Sequence, residues 1–225
     1  MTTSRAFRVA LTFDAEHPDR PTRPGVAAGL LDTLASAAAR STWFLQGRWV
    51  EAHPDVARRI AADGHLIGNH SFYHARMPLL SATGLATDVR AAERVIVAAT
   101  GVDPKPWFRC PFGTGATSPV IARRLASIGY RSVGWDVDSL DWWGRQTPEA
   151  LAEDVVRRAA THGDGCIVLM HGWTTNALAA LPAVLRRLAD DGARFVGLDE
   201  LEAAAIGDSI DMVDVPDDLE HLVPA

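Results

Sequence analysis

The sequence predicts an α/β fold in which about seven parallel strands curl into a barrel within a single domain. Three observations predict it. Seven apolar runs of strand length alternate with segments of helical period, the pattern of parallel strands joined by helical crossovers. Polar residues able to do chemistry stand at or just past the C-terminal ends of several of these runs, and a closed parallel barrel gathers such ends on one rim. An open sheet would spread them along an edge. The chain has 225 residues, of which 48% are hydrophobic, enough for one sizeable core.

The elements follow in order. "FRVALTF" (7–13) is a strand that leads onto Asp14. "TWFLQG" (42–47) is the second. "PDVARRIAADG" then reads as a helix, with Pro54 in its first turn and Gly64 as its stop. "HLIGNH" (65–70) is the third strand, and Ser81 to Gly101 is a long helix with a capping residue at its start and glycine at its end. "WFRCPF" (107–112) and "YRSVGWDV" (130–137) are the next two strands. Thr147 to Gly163 repeats the capped helix, "CIVLMH" (166–171) is a strongly apolar strand, and "ARFVGL" (193–198) is the last. Residues 1–207 form the domain, and 208–225 read as a peripheral acidic tail.

Composition removes several function classes. The net charge is -6, and no basic cluster offers the surface that nucleic acid or an anionic membrane requires. No window approaches the roughly 18 apolar residues of a membrane span. The N-terminus goes directly into a strand, without the apolar stretch and cleavage pattern of a signal peptide, which makes a cytoplasmic protein the expectation. Cys110 and Cys166 lie far apart in sequence and are expected to be reduced.

Beyond Asp14, chemistry concentrates in four places. "HSFYH" separates His70 and His74 by four residues, which on a helical turn puts both imidazoles on one side. Two neutral imidazoles and a carboxylate suit zinc or another divalent metal with positions left for water and substrate. In "FRCPFG", Arg109 can hold a carboxylate in place while the backbone N–H near Phe112 points into the site. "DVDSLDWW" sets Asp138 and Asp141 beside Trp142 and Trp143, whose indoles suit a sugar ring or core packing. "IVLMHG" ends on His171, an imidazole placed for general-acid work.

The ordered set TFDA, HSFYH, RCPFG, DSLDW and LMHG resembles the motifs of the polysaccharide deacetylase family (NodB homology, carbohydrate esterase family 4). The resemblance covers roughly residues 8 to 200. It implies a distorted (β/α) barrel and metal-dependent hydrolysis of an N-acetyl or related amide, most often on amino sugars. It makes His70 and His74 metal ligands, Asp14 the catalytic base and Arg109 the residue that orients the base. Asp141 would tune His171, Trp142 would wall the pocket, and His171 would protonate the leaving amine. The metal implied is zinc, with cobalt, nickel or manganese as alternatives.

The first motif departs from the family pattern, which is usually TFDD with its second aspartate on the metal; here that position is Ala15. Three readings stand. Glu16 supplies the missing oxygen, since residues i and i+2 of a strand face the same way. Alternatively, Asp14 becomes the ligand, and the base is Glu16, His17 or metal-bound hydroxide. In the third reading the metal is lost and the chain is a sugar-binding module or an inactive relative. Gly172 also follows His171 where the family often has aspartate, and Cys110 stands where proline is common. The loop "EHPDRPTRPG" places His17 and Asp19 within reach of substrate. A cytoplasmic location weighs against peptidoglycan or chitin, so the expected substrate is a small N-acetylated sugar, a glycosylated metabolite or another amide, with a cyclic or allantoin-like amide as the runner-up.

Overall fold

The computed structural model describes residues 6–18 and 24–201. The predicted acidic tail, 208–225, and Asp19 lie outside the described residues. In chain order the elements are β1 (Phe7–Ala15), α1 (Val26–Ser36), β2 (Thr42–Leu45), α2 (Gly47–Ala52), α3 (Pro54–Ala62), β3 (Leu66–Asn69), α4 (Ala82–Thr100) and β4 (Trp107–Phe108). There follow α5 (Pro119–Ala126), β5 (Arg131–Ser132), β6 (Val137–Asp138), α6 (Pro148–His162), β7 (Cys166–His171), α7 (Thr175–Asp190) and β8 (Ala193–Phe195). The predicted caps are in place. The Ser81 and Thr147 hydroxyls accept the N–H groups of Gly84 and Ala150 at 3.0 and 3.2 Å, and α4 stops at Gly101, whose φ is 73°.

All pairings are parallel, in the order β5-β4-β3-β2-β1-β7-β6, with β8 paired to the start of β1. The α/β barrel expectation holds in its distorted form: the sheet curls into a half-barrel whose edge strands do not pair. "YRSVGWDV" is not one strand but two, β5 and β6, which lie at opposite edges of the sheet. The segment between them crosses the gap. Val133 N–H donates to Phe108 O at 2.7 Å on one side, and Asp136 N–H to Ile167 O at 2.8 Å on the other. Covalent chain closes the ring where hydrogen bonds do not.

Strand alternation divides the interior. Leu11, Phe13, Trp43, Leu45, Val168 and Met170 face the helices and pack with Leu181 and Leu185 in the main core. Ala10, Phe44, Trp107 and Ile167 face the other way, into a second cluster with Val196 and Leu198. Above that inner cluster the inward positions turn polar: Thr12, Asp14 and His171 are all buried. Register places Asp14 directly beside His171 and Ala15 beside Leu45. Parallel strands in this register deliver their C-terminal side chains to one rim.

A candidate metal and catalytic centre

The rim gathers two imidazoles and a carboxylate from separate loops. Ligand atoms of Glu16, His70 and His74 all lie within 4.8 Å of one another. Glu16 Oε2 is 3.1 Å from His70 Nε2 and also pairs with His74 Nε2, and the two Nε2 atoms are 3.2 Å apart. Asp14 stays outside this trio, with Oδ2 3.6 Å from His70 Nε2. Ala15, between the two carboxylates, belongs to the main core. The alternation that turns Ala15 outward turns Asp14 and Glu16 in.

The helical premise for HSFYH does not hold. Residues 70–74 form a loop in which Ser71 and His74 adopt φ of 63° and 58°, so the i, i+4 rule is not what joins the imidazoles. Side chains shape the loop instead. Asp88 accepts the N–H groups of Phe72 and Tyr73 at 2.9 and 3.1 Å, and Ser71 Oγ accepts that of His74 at 2.9 Å. His70 Nδ1 meets Arg109 O at 3.0 Å. A carbonyl only accepts, so Nδ1 carries a proton, which leaves Nε2 directed at Glu16 and His74.

That arrangement suits a divalent cation. Two imidazole nitrogens and a carboxylate oxygen converge, and the Arg109 carbonyl fixes the orientation of the His70 ring from behind. Burial would raise the Glu16 pKa, but His74 foremost, with His17 and His70, holds it well below the usual carboxylate range. Burial lowers His74, against the pull of Glu16.

Beside the trio stands a carboxylate, Asp14, held by a cation. Arg109 is fully buried. Its Nη1 donates to Asp14 Oδ1 at 2.9 Å and to Thr12 Oγ1 at 2.8 Å. Its Nη2 donates to Gly134 O at 2.9 Å, and its guanidinium lies 4.2 Å from the Phe44 ring centroid. Arg109 therefore plugs the seam where the barrel closes and orients Asp14 from behind.

On the other side, His171 Nδ1 donates to Asp141 Oδ1 at 2.8 Å, which leaves Nε2 facing the rim, 4.0 Å from Glu16 Oε1. Burial would lower the imidazole pKa, but the Asp141 charge and hydrogen bond, helped by Glu16 and Asp14, push it up to about 10. Asp141 also accepts from Ser139 Oγ at 2.8 Å and from the Thr174 hydroxyl.

The aromatic residues divide. Phe112, with φ of 58°, is about half exposed, and its ring meets His74 edge-on with centroids 4.4 Å apart. Trp142 is exposed next to Asp141. Trp143 instead lies under Arg145, 4.7 Å from its guanidinium carbon. His17 turns its Nε2 onto Glu16 Oε1 at 2.9 Å. Trp173 went unread in the sequence although it follows LMHG directly; its Nε1–H donates to Glu16 Oε1 at 3.3 Å. The supporting partners Asp88, Ser139 and Thr174 carry no sequence signal of their own.

Among known proteins, the profile of the family described as Polysaccharide deacetylase matches residues 2–133. A peptidoglycan-N-acetylglucosamine deacetylase of Listeria monocytogenes is 32% identical over 86% of this chain, which spans 38% of that protein's length. Among solved structures, a family 4 carbohydrate esterase from Streptomyces lividans in complex with acetate superposes with a TM-score of 0.72 at 30% identity, covering 84% of this chain and 91% of that one. A mutant, with restored enzymatic activity, of a CE4 family pseudoenzyme from Bacillus anthracis gives a TM-score of 0.76 at 29% identity, over 88% of this chain and 68% of that one. The matched profile, the Listeria relative and the shared fold agree with the five motifs read in the sequence: the chain belongs to the polysaccharide deacetylase family.

Proposed function

We propose that this chain is a metal-dependent deacetylase that hydrolyses the acetamido C–N bond of an N-acetylated amino sugar. One observation carries the reading: the Glu16, His70 and His74 trio shares its rim with an arginine-held carboxylate and an aspartate-held imidazole. Glu16, His70 and His74 would hold the metal. A divalent cation there, zinc by preference or else cobalt, nickel or manganese, would polarise the acyl oxygen and lower the pKa of water beside it.

The chain's own residues do the rest. Arg109 ties up one oxygen of Asp14 and leaves the other facing the rim near His70. Asp14 is thereby placed to take a proton as water attacks the acyl carbon. The backbone N–H of Phe112 serves the developing oxyanion. His171 holds its Nε2 proton toward the rim and passes it to the nitrogen as the C–N bond breaks, which releases acetate and a free amine. Trp142, and Phe112 with its ring against His74, wall the sugar.

The relatives named as peptidoglycan deacetylases support an amino-sugar substrate. A non-catalytic carbohydrate-binding reading draws on the likeness to a pseudoenzyme; the intact Asp14–Arg109 and His171–Asp141 pairs favour turnover. Acetate release from N-acetylglucosamine, its oligomers and peptidoglycan fragments, with and without added zinc or cobalt, tests the proposal. Metal-stimulated release supports it. Silence on all of these, with opening of a cyclic amide, would replace it with the cyclic-amide reading.

A further inference from the structure

We propose that Trp173 and His17 are positioning residues that occupy one oxygen of Glu16 and so present the other as a single-oxygen ligand to the cation; this rests on the reading of Glu16, His70 and His74 as a metal site. The two oxygens of Glu16 have separate company. Oε2 faces His70 and His74. Oε1 takes the Trp173 indole N–H at 3.3 Å and His17 Nε2 at 2.9 Å.

Glu16 needs such a hold because it lies one residue past the end of β1, which closes at Ala15, and has one more rotatable bond than aspartate. Ordering that longer arm costs entropy unless its head is tied. The backbone around it is fixed by Gln46, whose side-chain carbonyl accepts the N–H of His17 at 2.9 Å and whose own N–H donates to Ala15 O at 3.0 Å. His17 takes a left-handed φ of 57°, which returns its ring to the carboxylate just before it. The His17 and Trp173 rings then meet edge-on, with centroids 5.7 Å apart.

Trp173 reaches Glu16 because the ends of β7 and β1 approach closely. Gly172 N–H donates to Asp14 O at 2.9 Å. A Cβ on Gly172 would lie 2.9 Å from the Trp43 ring and 3.6 Å from the Cα and Cβ of Ala15. The two small residues that break the family pattern, Ala15 and Gly172, thus abut. Together they let the following residues, Glu16 and Trp173, meet over the rim.

Zinc titration by calorimetry on the full chain tests the assignment, with Trp173→Phe, His17→Ala and His17→Gln as variants. Trp173→Phe keeps an aromatic ring and removes the N–H donor. Loss of a group that orients a ligand weakens metal binding by about 10–100-fold, so Trp173→Phe and His17→Ala are each expected to bind zinc at least tenfold more weakly. His17→Gln, which retains an N–H donor, should recover part of that loss. Cobalt absorption in the visible should also shift in Trp173→Phe as the carboxylate changes its mode of binding, a change that a purely structural tryptophan would not cause. Should Trp173→Phe fail to fold, the two His17 variants decide. Zinc affinity within twofold of wild type in both Trp173→Phe and His17→Ala overturns the anchoring while leaving the metal site standing. A wild-type chain that binds neither zinc nor cobalt overturns the metal reading and this proposal with it.

Discussion

Arg109→Met is the sharpest test of how the barrel seam and Asp14 depend on each other. The side chain is fully buried, and its guanidinium meets Asp14, Thr12, Val133 O and Gly134 O at 2.9, 2.8, 3.4 and 2.9 Å. Methionine approximates its volume between Phe44 and Trp135, so the loss is mainly electrostatic. It strands the Asp14 charge and the two seam carbonyls together. Removing one partner of a buried ion pair costs about 3–5 kcal/mol, which for a chain of this size lowers Tm by about 6–20 °C. Urea unfolding reads the change as a shift of midpoint at constant slope. Asp14→Asn in the same background removes the stranded charge, and neighbours this close are expected to show a coupling of about 0.5–3 kcal/mol. A loss below about 1 kcal/mol for Arg109→Met, or full additivity with Asp14→Asn, would refute the claim that Arg109 is held in place by this pair.

Two further outcomes follow from the rim and the core. Asp141→Asn removes the charge that holds the His171 proton. Turnover should fall by about 100–10,000-fold, the usual weight of a general acid, while KM stays within a few-fold. An unchanged kcat would take His171 out of the proton-donor role. Cys110 and Cys166 are both free and buried, and burial pushes their thiols up to about 11 and about 12. Because these values lie above the ordinary thiol pKa of about 8.5, the stability from keeping the thiols neutral is fully present below that pH. It is lost as pH rises through about 11 and then about 12. Iodoacetamide at pH 8 should leave the native chain unmodified and add two groups in urea; rapid native labelling of either cysteine would contradict the burial.

What the sequence made legible was whatever depends on local pattern. The seven apolar runs, the capped helices and the rim positions of Asp14 and His171 follow from alternation and strand ends. Glu16 was reachable for the same reason, since it shares a face with Asp14 across Ala15. The joining of His70 and His74 was right in outcome and wrong in cause: the loop takes its shape from Asp88, on a helix that starts eight residues after His74, and no spacing rule carries that. The split of residues 130–137 was hidden likewise. A run of apolar residues reads as one strand, yet Val133 and Asp136 bond to opposite sides of the barrel, which only closure of the whole sheet decides. Trp173 was missed because its partner lies 157 residues earlier in the chain.

On the proposed reading, Glu16 supplies the oxygen that Ala15 cannot. Metal content of the purified chain, wild type against Glu16→Gln, measures it directly. One divalent ion per wild-type chain, with Glu16→Gln retaining its fold and losing most of that metal and the acetate release together, is the predicted result. A Glu16→Gln chain that keeps a full complement of metal and wild-type turnover would contradict it.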